Sequence, residues 1–243
     1  MQTVEICGLP SLIALPETIN RLTDLTDLTD ICFESCRGLK IIPNTIGVLT
    51  SLQTLILSDL PSLTEIPSTI GEFTSLQTLD LYDLPSLAEL PNTIGGLKTL
   101  RTLHIWHLEI ERLPRTLGEL SALEVLSISN CMKLQELPDS IAQLRSLQEL
   151  YIDECNMKTI THRIGNLSSL HTLIISSCPL EGLPSEIAQL VSLKTLTLKH
   201  IGIKKLPDSI GRLKSLKRLD IWHLGIERLP RTLGELSALE VLS

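Results

Sequence analysis

Cysteine and histidine are the side chains here best suited to chemistry, and each occurs six times. A thiolate or a neutral imidazole can ligate a metal, attack an electrophile or relay a proton. Cys7, Cys32, Cys36, Cys131, Cys155 and Cys178 contain no Cys-x-x-Cys pair, and no His-Glu-x-x-His run is present. That spacing assigns no metal ligand. Paired acids such as Asp80/Asp83 and Asp153/Glu154 exist, but no nucleophile elbow, Gly-rich phosphate loop or kinase signature accompanies them. The residues predict neither a catalytic centre nor a cofactor.

The elements that carry these residues follow from the composition. Leucine (52) and isoleucine (26) make up about a third of the 243 residues, while aromatics stand at 2%. A single large core normally uses Phe, Tyr and Trp as well. A core of Leu and Ile suggests many thin, similar layers. The motif L-P-x-x-I-G-x-L recurs, starting at Leu15, Ile42, Ile66, Leu90, Leu113, Leu137, Ile160, Leu183, Leu206 and Leu229. Units of 23–24 residues result, with one longer first interval where Thr-Asp-Leu is written twice across 23–28. That doubling predicts a local bulge.

Each unit also contains L-x-L, which puts two aliphatic residues on one strand face and the residue between them on the other. Ten such pairs run from Val4/Ile6 to Leu219/Ile221, and an eleventh begins at Leu242. One strand cannot bury its face alone, so stacked units should form a parallel sheet. Cys36, Cys131, Cys155 and Cys178 occupy a site that other units fill with Leu or Ile, which predicts buried, reduced thiols. Cys7 and Cys32 fall on or beside the solvent side of their strands and could be reactive. His200 and His223 hold equivalent places in neighbouring units and should stack about 4.8 Å apart.

Residues 52–60, Leu-Gln-Thr-Leu-Ile-Leu-Ser-Asp-Leu, carry the leucine-rich repeat pattern, and the chain resembles that superfamily over its whole length. The L-P-x-x-I-G-x-L opening is similar to intracellular members: plant disease-resistance receptors of the nucleotide-binding type and Ras-group scaffold proteins. The resemblance implies an α/β fold, a curved solenoid with a parallel sheet on the concave face and short helical or 3-10 turns on the convex face. It also implies protein recognition without catalysis, as the sensing domain of a cytoplasmic immune receptor in defense signalling. A Ras-type scaffold or the targeting domain of a bacterial effector are its alternatives. Proline follows nine of the ten unit starts, where its fixed φ suits the first position of a convex turn. The glycine of the motif becomes Ala at 142 and 188, so close packing between turns, rather than positive φ, explains it.

Partner chemistry can be narrowed. Net charge is −7, with −8 in residues 1–100 and +1 in the remainder. An acidic chain is a poor ligand for nucleic acid, and no apolar run approaches the length of a membrane span. A local block, 194–218, holds eight basic residues and one acid, and could steer an acidic protein surface. Both Trp and both Tyr fall on the outward side of strands, while Phe33 and Phe73 take core positions. Aromatics with a polar handle make good binding anchors. The candidate protein-binding face comprises Tyr82, His104, Trp106, His107, Tyr151, Asp153, Lys199, His200, Arg218, Asp220, Trp222 and His223. No small-molecule substrate is expected. The chain reads as one repeat domain over 1–243, lacking polar caps and therefore a fragment of something longer. Residues 105–127 and 221–243 match at 22 of 23 positions.

Overall fold

The computed structural model describes residues 2–25 and 28–243. Eleven parallel strands form one open, curved sheet in strict chain order. They are β1 (Gln2–Cys7), β2 (Leu28–Glu34), β3 (Thr54–Ser58), β4 (Thr78–Leu84), β5 (Thr102–Leu108), β6 (Val125–Ser129), β7 (Glu149–Asp153), β8 (Thr172–Ser176), β9 (Thr195–Lys199), β10 (Arg218–Trp222) and β11 (Val241–Leu242). A short 3-10 turn separates each strand from the next, and together the turns form the opposite wall. This is the solenoid that the period and the L-x-L pattern require.

From Thr3 onward the ladder runs in register, so Leu55 faces Leu79, which faces Leu103, and the outward residues align in columns as well, while between Gln2 and Thr3 the β1–β2 pairing slips past Thr29. Inward residues from strands, loops and turns make one continuous core, with Phe33 and Phe73 in ordinary leucine places. Towards the two ends the layers are more open, and Val4, Ile6, Ile221 and Leu224 are only partly buried. Hydroxyls stitch units together: Thr69 Oγ1 donates to the Asn44 carbonyl (2.7 Å) and Ser209 Oγ to that of Ser185 (2.8 Å).

Proline stands one place earlier than the sequence suggests. It is the residue before nine of the ten 3-10 turns, as in Pro114 (φ −63°, ψ 144°), whose carbonyl accepts the first turn hydrogen bond from Leu117 N–H (3.0 Å). Extended ψ excludes it from the turn itself, while its fixed φ still orients the entry. In the one unit without proline, Thr161 takes that place and its hydroxyl accepts from the Arg163 N–H at 3.2 Å. The doubled Thr-Asp-Leu lies partly outside the described residues, at 26 and 27. Before them the 3-10 turn is longer than the rest, eight residues over Glu17–Asp24.

In each of β1–β10 the residue two positions after the second core residue has positive φ, just past the strand in eight of them and one residue before the last in β4 and β5. The column is Gly8, Ser35, Asp59, Asp83, His107, Asn130, Glu154, Ser177, His200 and His223, with φ between 48° and 66°. Left-handed backbone turns the chain out of the strand and down towards the core. Its N–H continues the ladder, as from His200 to the Trp222 carbonyl (3.0 Å). Gly, Asn, Asp and His tolerate this conformation best. Glu154 lacks a short side chain to support it, so Glu154→Gly should hold or raise stability, whereas Glu154→Val should lower it by about 1 kcal/mol. Urea unfolding midpoints of the two variants check the sign.

Candidate functional site

The outward strand residues gather into three groups. On β4 and β5, Tyr82 aligns with Trp106, and Asp80 with His104. His104 Nδ1 lies 2.9 Å from Asp80 Oδ1 and 3.0 Å from the Tyr82 hydroxyl. Both contacts meet at Nδ1, and together they orient the ring. Burial, then the Asp80 charge, pushes the Tyr82 phenol up from its ordinary value. Trp106 packs edge-on to Tyr82 (6.4 Å between centroids) and to His107 (6.1 Å), and 44% of it stays exposed. His107 Nδ1 in turn meets Asp83 Oδ1 at 2.7 Å, both at left-handed corners.

On β7 the Tyr151 hydroxyl donates to Glu149, and burial followed by that contact pushes its phenol up to about 12. Asp153 accepts from Ser176 on the next strand. The third group spans β9 and β10. Lys199 aligns with Trp222, and the His200 and His223 rings stack 4.4 Å apart at 11°, close to the expected strand spacing. Trp222 is 48% exposed. Asp220 departs from the sequence reading: it is buried, accepts from Thr197 Oγ1 at 3.4 Å, and lies 3.4 Å from Arg218 Nη1. It positions Arg218 rather than meeting solvent.

Of the twelve candidates, Tyr82, His104, Trp106 and His107 therefore come together, as do Lys199, His200, Arg218, Asp220, Trp222 and His223. Tyr151 and Asp153 lie between, flanked by the small Ser127 and Ser129 of β6. The partners Asp80, Asp83, Glu149 and Ser176 matter as much as the candidates they hold. The basic block 194–218 is not one patch. Lys199 and Arg218 belong to strands, Arg212 to a 3-10 turn, and Lys214 and Lys217 pair with Glu235 (3.9 Å) and Glu240 (2.7 Å).

Cys36, Cys131, Cys155 and Cys178 are buried and free, as their column predicts. Contact with the Cys131 thiol, together with burial, raises Cys155, and burial raises Cys178. An open groove of about 600 Å³, lined by Arg112, Arg115, Glu136 and Asp139 among others, follows the loops into the 3-10 turns. Among the described residues, one group could hold a metal: Cys7, Cys32 and Glu34. Burial, then the neighbouring Cys7 and Glu34, pushes the Cys32 thiol up to about 11. No helix of the described residues is long and apolar enough to cross a membrane.

An open solenoid with a polar, aromatic strand face and a leucine core defines the class as a repeat protein. The pattern of a leucine-rich repeat region matches residues 94–181 and 154–243, together 150 of 243 positions (94 to 243), and the chain belongs to the leucine-rich repeat family. No curated protein sequence matches it. A leucine-rich repeat protein of Leptospira interrogans is similar in structure at 22% identity, with 97% of this chain and 82% of that one aligned and a TM-score of 0.61. The leucine-rich repeat domain of the type III effector XopL shares 26% identity over 76% of this chain and 74% of that one (TM-score 0.62). The ectodomain of the plant membrane receptor kinase GASSHO1/SCHENGEN3 from Arabidopsis thaliana, solved with CASPARIAN STRIP INTEGRITY FACTOR 2, shares 23% identity (TM-score 0.54). There 95% of this chain aligns with 34% of the receptor.

Proposed function

We propose that the chain is a non-catalytic protein-recognition domain that takes its partner on the concave strand face. The observation that carries this is Trp106 and Trp222, each close to half exposed on the outward side of a strand, Trp106 packed against Tyr82 and Trp222 opposite Lys199. Solvent-facing indoles lose little conformational freedom on binding and offer large contact areas. The plant receptor ectodomain of the same fold was solved in complex with CASPARIAN STRIP INTEGRITY FACTOR 2, which supports a recognition role here. Within that reading, the domain is the sensing repeat of a cytoplasmic plant-type immune receptor, a placing supported by the L-P-x-x-I-G-x-L opening. The second reading, a targeting domain of a bacterial effector, is favoured by the likeness to the XopL domain.

The test is comparative capture from plant cytosolic extract by immobilised wild type, Trp106→Ala, Trp222→Ala and the turn variant Arg212→Ala. A partner held by wild type and Arg212→Ala and lost from the Trp variants is the expected result. Partners indifferent to both tryptophans place recognition off the strand face.

A further inference from the structure

We propose that Cys7, Cys32 and Glu34 form a binding site for a divalent cation of the zinc class, at the β1–β2 end of the concave face. The two thiols and the carboxylate have ligand atoms all within 4.8 Å of one another. They come together because β1 and β2 run in register: Cys7 faces Glu34, and Glu5 faces Cys32. Ile6, Ile31 and Phe33 point the other way into the core, so the three ligands share the outward face. None is needed for packing. The inference is independent of the protein-recognition reading.

Ligand chemistry selects the ion. Two sulfurs and one carboxylate oxygen suit a borderline-soft cation in four coordination, with water in the fourth position. Calcium and magnesium need six or more oxygens and find one carboxylate here. In a tetrahedral zinc site the donor atoms sit about 3.3–3.8 Å apart, so these side chains close by only about 1 Å. The alternative, a Cys7–Cys32 disulfide, fits worse. In the parallel ladder the two cysteines are offset by one strand spacing and two residues, about 4.8 Å across and about 6.6 Å along, which sets their Cα atoms about 8 Å apart, beyond the limit for bridging without backbone movement.

Binding balances simply. One dication, two neutral thiols, one carboxylate and one water give a complex of charge −1 and release two protons to solvent. The ion would tie β1 to β2, where Val4 and Ile6 are only partly buried. A second effect follows: the cation should raise thermal stability only when this site is intact.

The full chain, kept reduced, is titrated with Co(II) as a spectroscopic probe and then challenged with Zn(II). The expected result is one Co(II) per chain, a thiolate-to-metal charge-transfer band, and its displacement by Zn(II). Cys7→Ser and Cys32→Ser should each abolish the band, and Glu34→Gln should weaken binding by about tenfold or more. Cys131→Ala, in the buried column, should leave the band intact. All three ligands point out of the core, so circular dichroism should be unchanged in their variants. Absence of a thiolate band, or a band that survives both Cys7→Ser and Cys32→Ser, overturns the site.

Discussion

Gly118→Ala is expected to destabilise the protein by about 1–3 kcal/mol, whereas Gly234→Ala should change stability by no more than about 0.5 kcal/mol. The two glycines sit in identical 3-10 turns, Arg-Thr-Leu-Gly-Glu at 115–119 and at 231–235. Local propensity and unfolded-state entropy are therefore the same for both. The neighbouring layer differs. A Cβ on Gly118 would overlap the Ser140 carbonyl oxygen and lie 2.8 Å from Ser140 Cβ, whereas at Gly234 nothing lies within 4 Å. Backbone cannot swing aside as a side-chain tip can, so adjacent turns must separate, and the leucine layer beneath loses contact. Ala142 and Ala188 show that particular layers are spaced for a methyl group. Urea unfolding of both variants measures the difference. Equal losses would mean that the glycine serves the turn itself and not the interlayer contact.

Much of this architecture is legible in the sequence because one rule repeats. The L-x-L pairs specify strand, facing and register together, since a one-residue slip would turn Leu55 and Leu57 to solvent. Sharing a column with leucine predicts the burial of Cys131, Cys155 and Cys178. The corner column is harder to read. Ser, Asp, His, Asn and Glu look like freely varying surface, yet each adopts positive φ. Gly8 and Asn130 in that column are the available signal. His107, His200 and His223 therefore serve the backbone as well as any partner, which weakens their claim as recognition residues by type alone. The contacts across units were hidden for another reason. Asp80 and His104 are 24 positions apart (104 − 80), and Cys7 and Cys32 are 25 apart (32 − 7), far outside the spacing of local motifs. Only the register of the ladder brings them together. Asp220 shows the limit in the other direction, because alternation places it outward while the Thr197 and Arg218 side chains bury it.

Trp106→Ala and Trp222→Ala are each expected to weaken partner binding by about 2 kcal/mol, roughly thirtyfold. Thermal stability should hardly move, because neither ring belongs to the leucine core and each is close to half exposed. The size of the effect comes from pre-organisation. Trp106 is braced edge-on by Tyr82 and His107, and Trp222 sits across from Lys199 beside the stacked His200 and His223. A ring already braced, as Trp106 is, costs little entropy to engage. β5 and β10 are five strand steps apart, about 24 Å before curvature. One partner patch of about 800 Å² could cover both. A protein that covers both should respond to either variant, whereas a short peptide seated at one end should respond to one. Lys199→Glu should mainly slow association with an acidic partner, and added salt should shrink that difference. Calorimetry gives the affinities, stopped-flow mixing gives the on-rates, and melting curves give the stability control. If both Trp variants bind as wild type does, recognition lies on the loops or the turn side instead, and the strand face serves only the ladder beneath it.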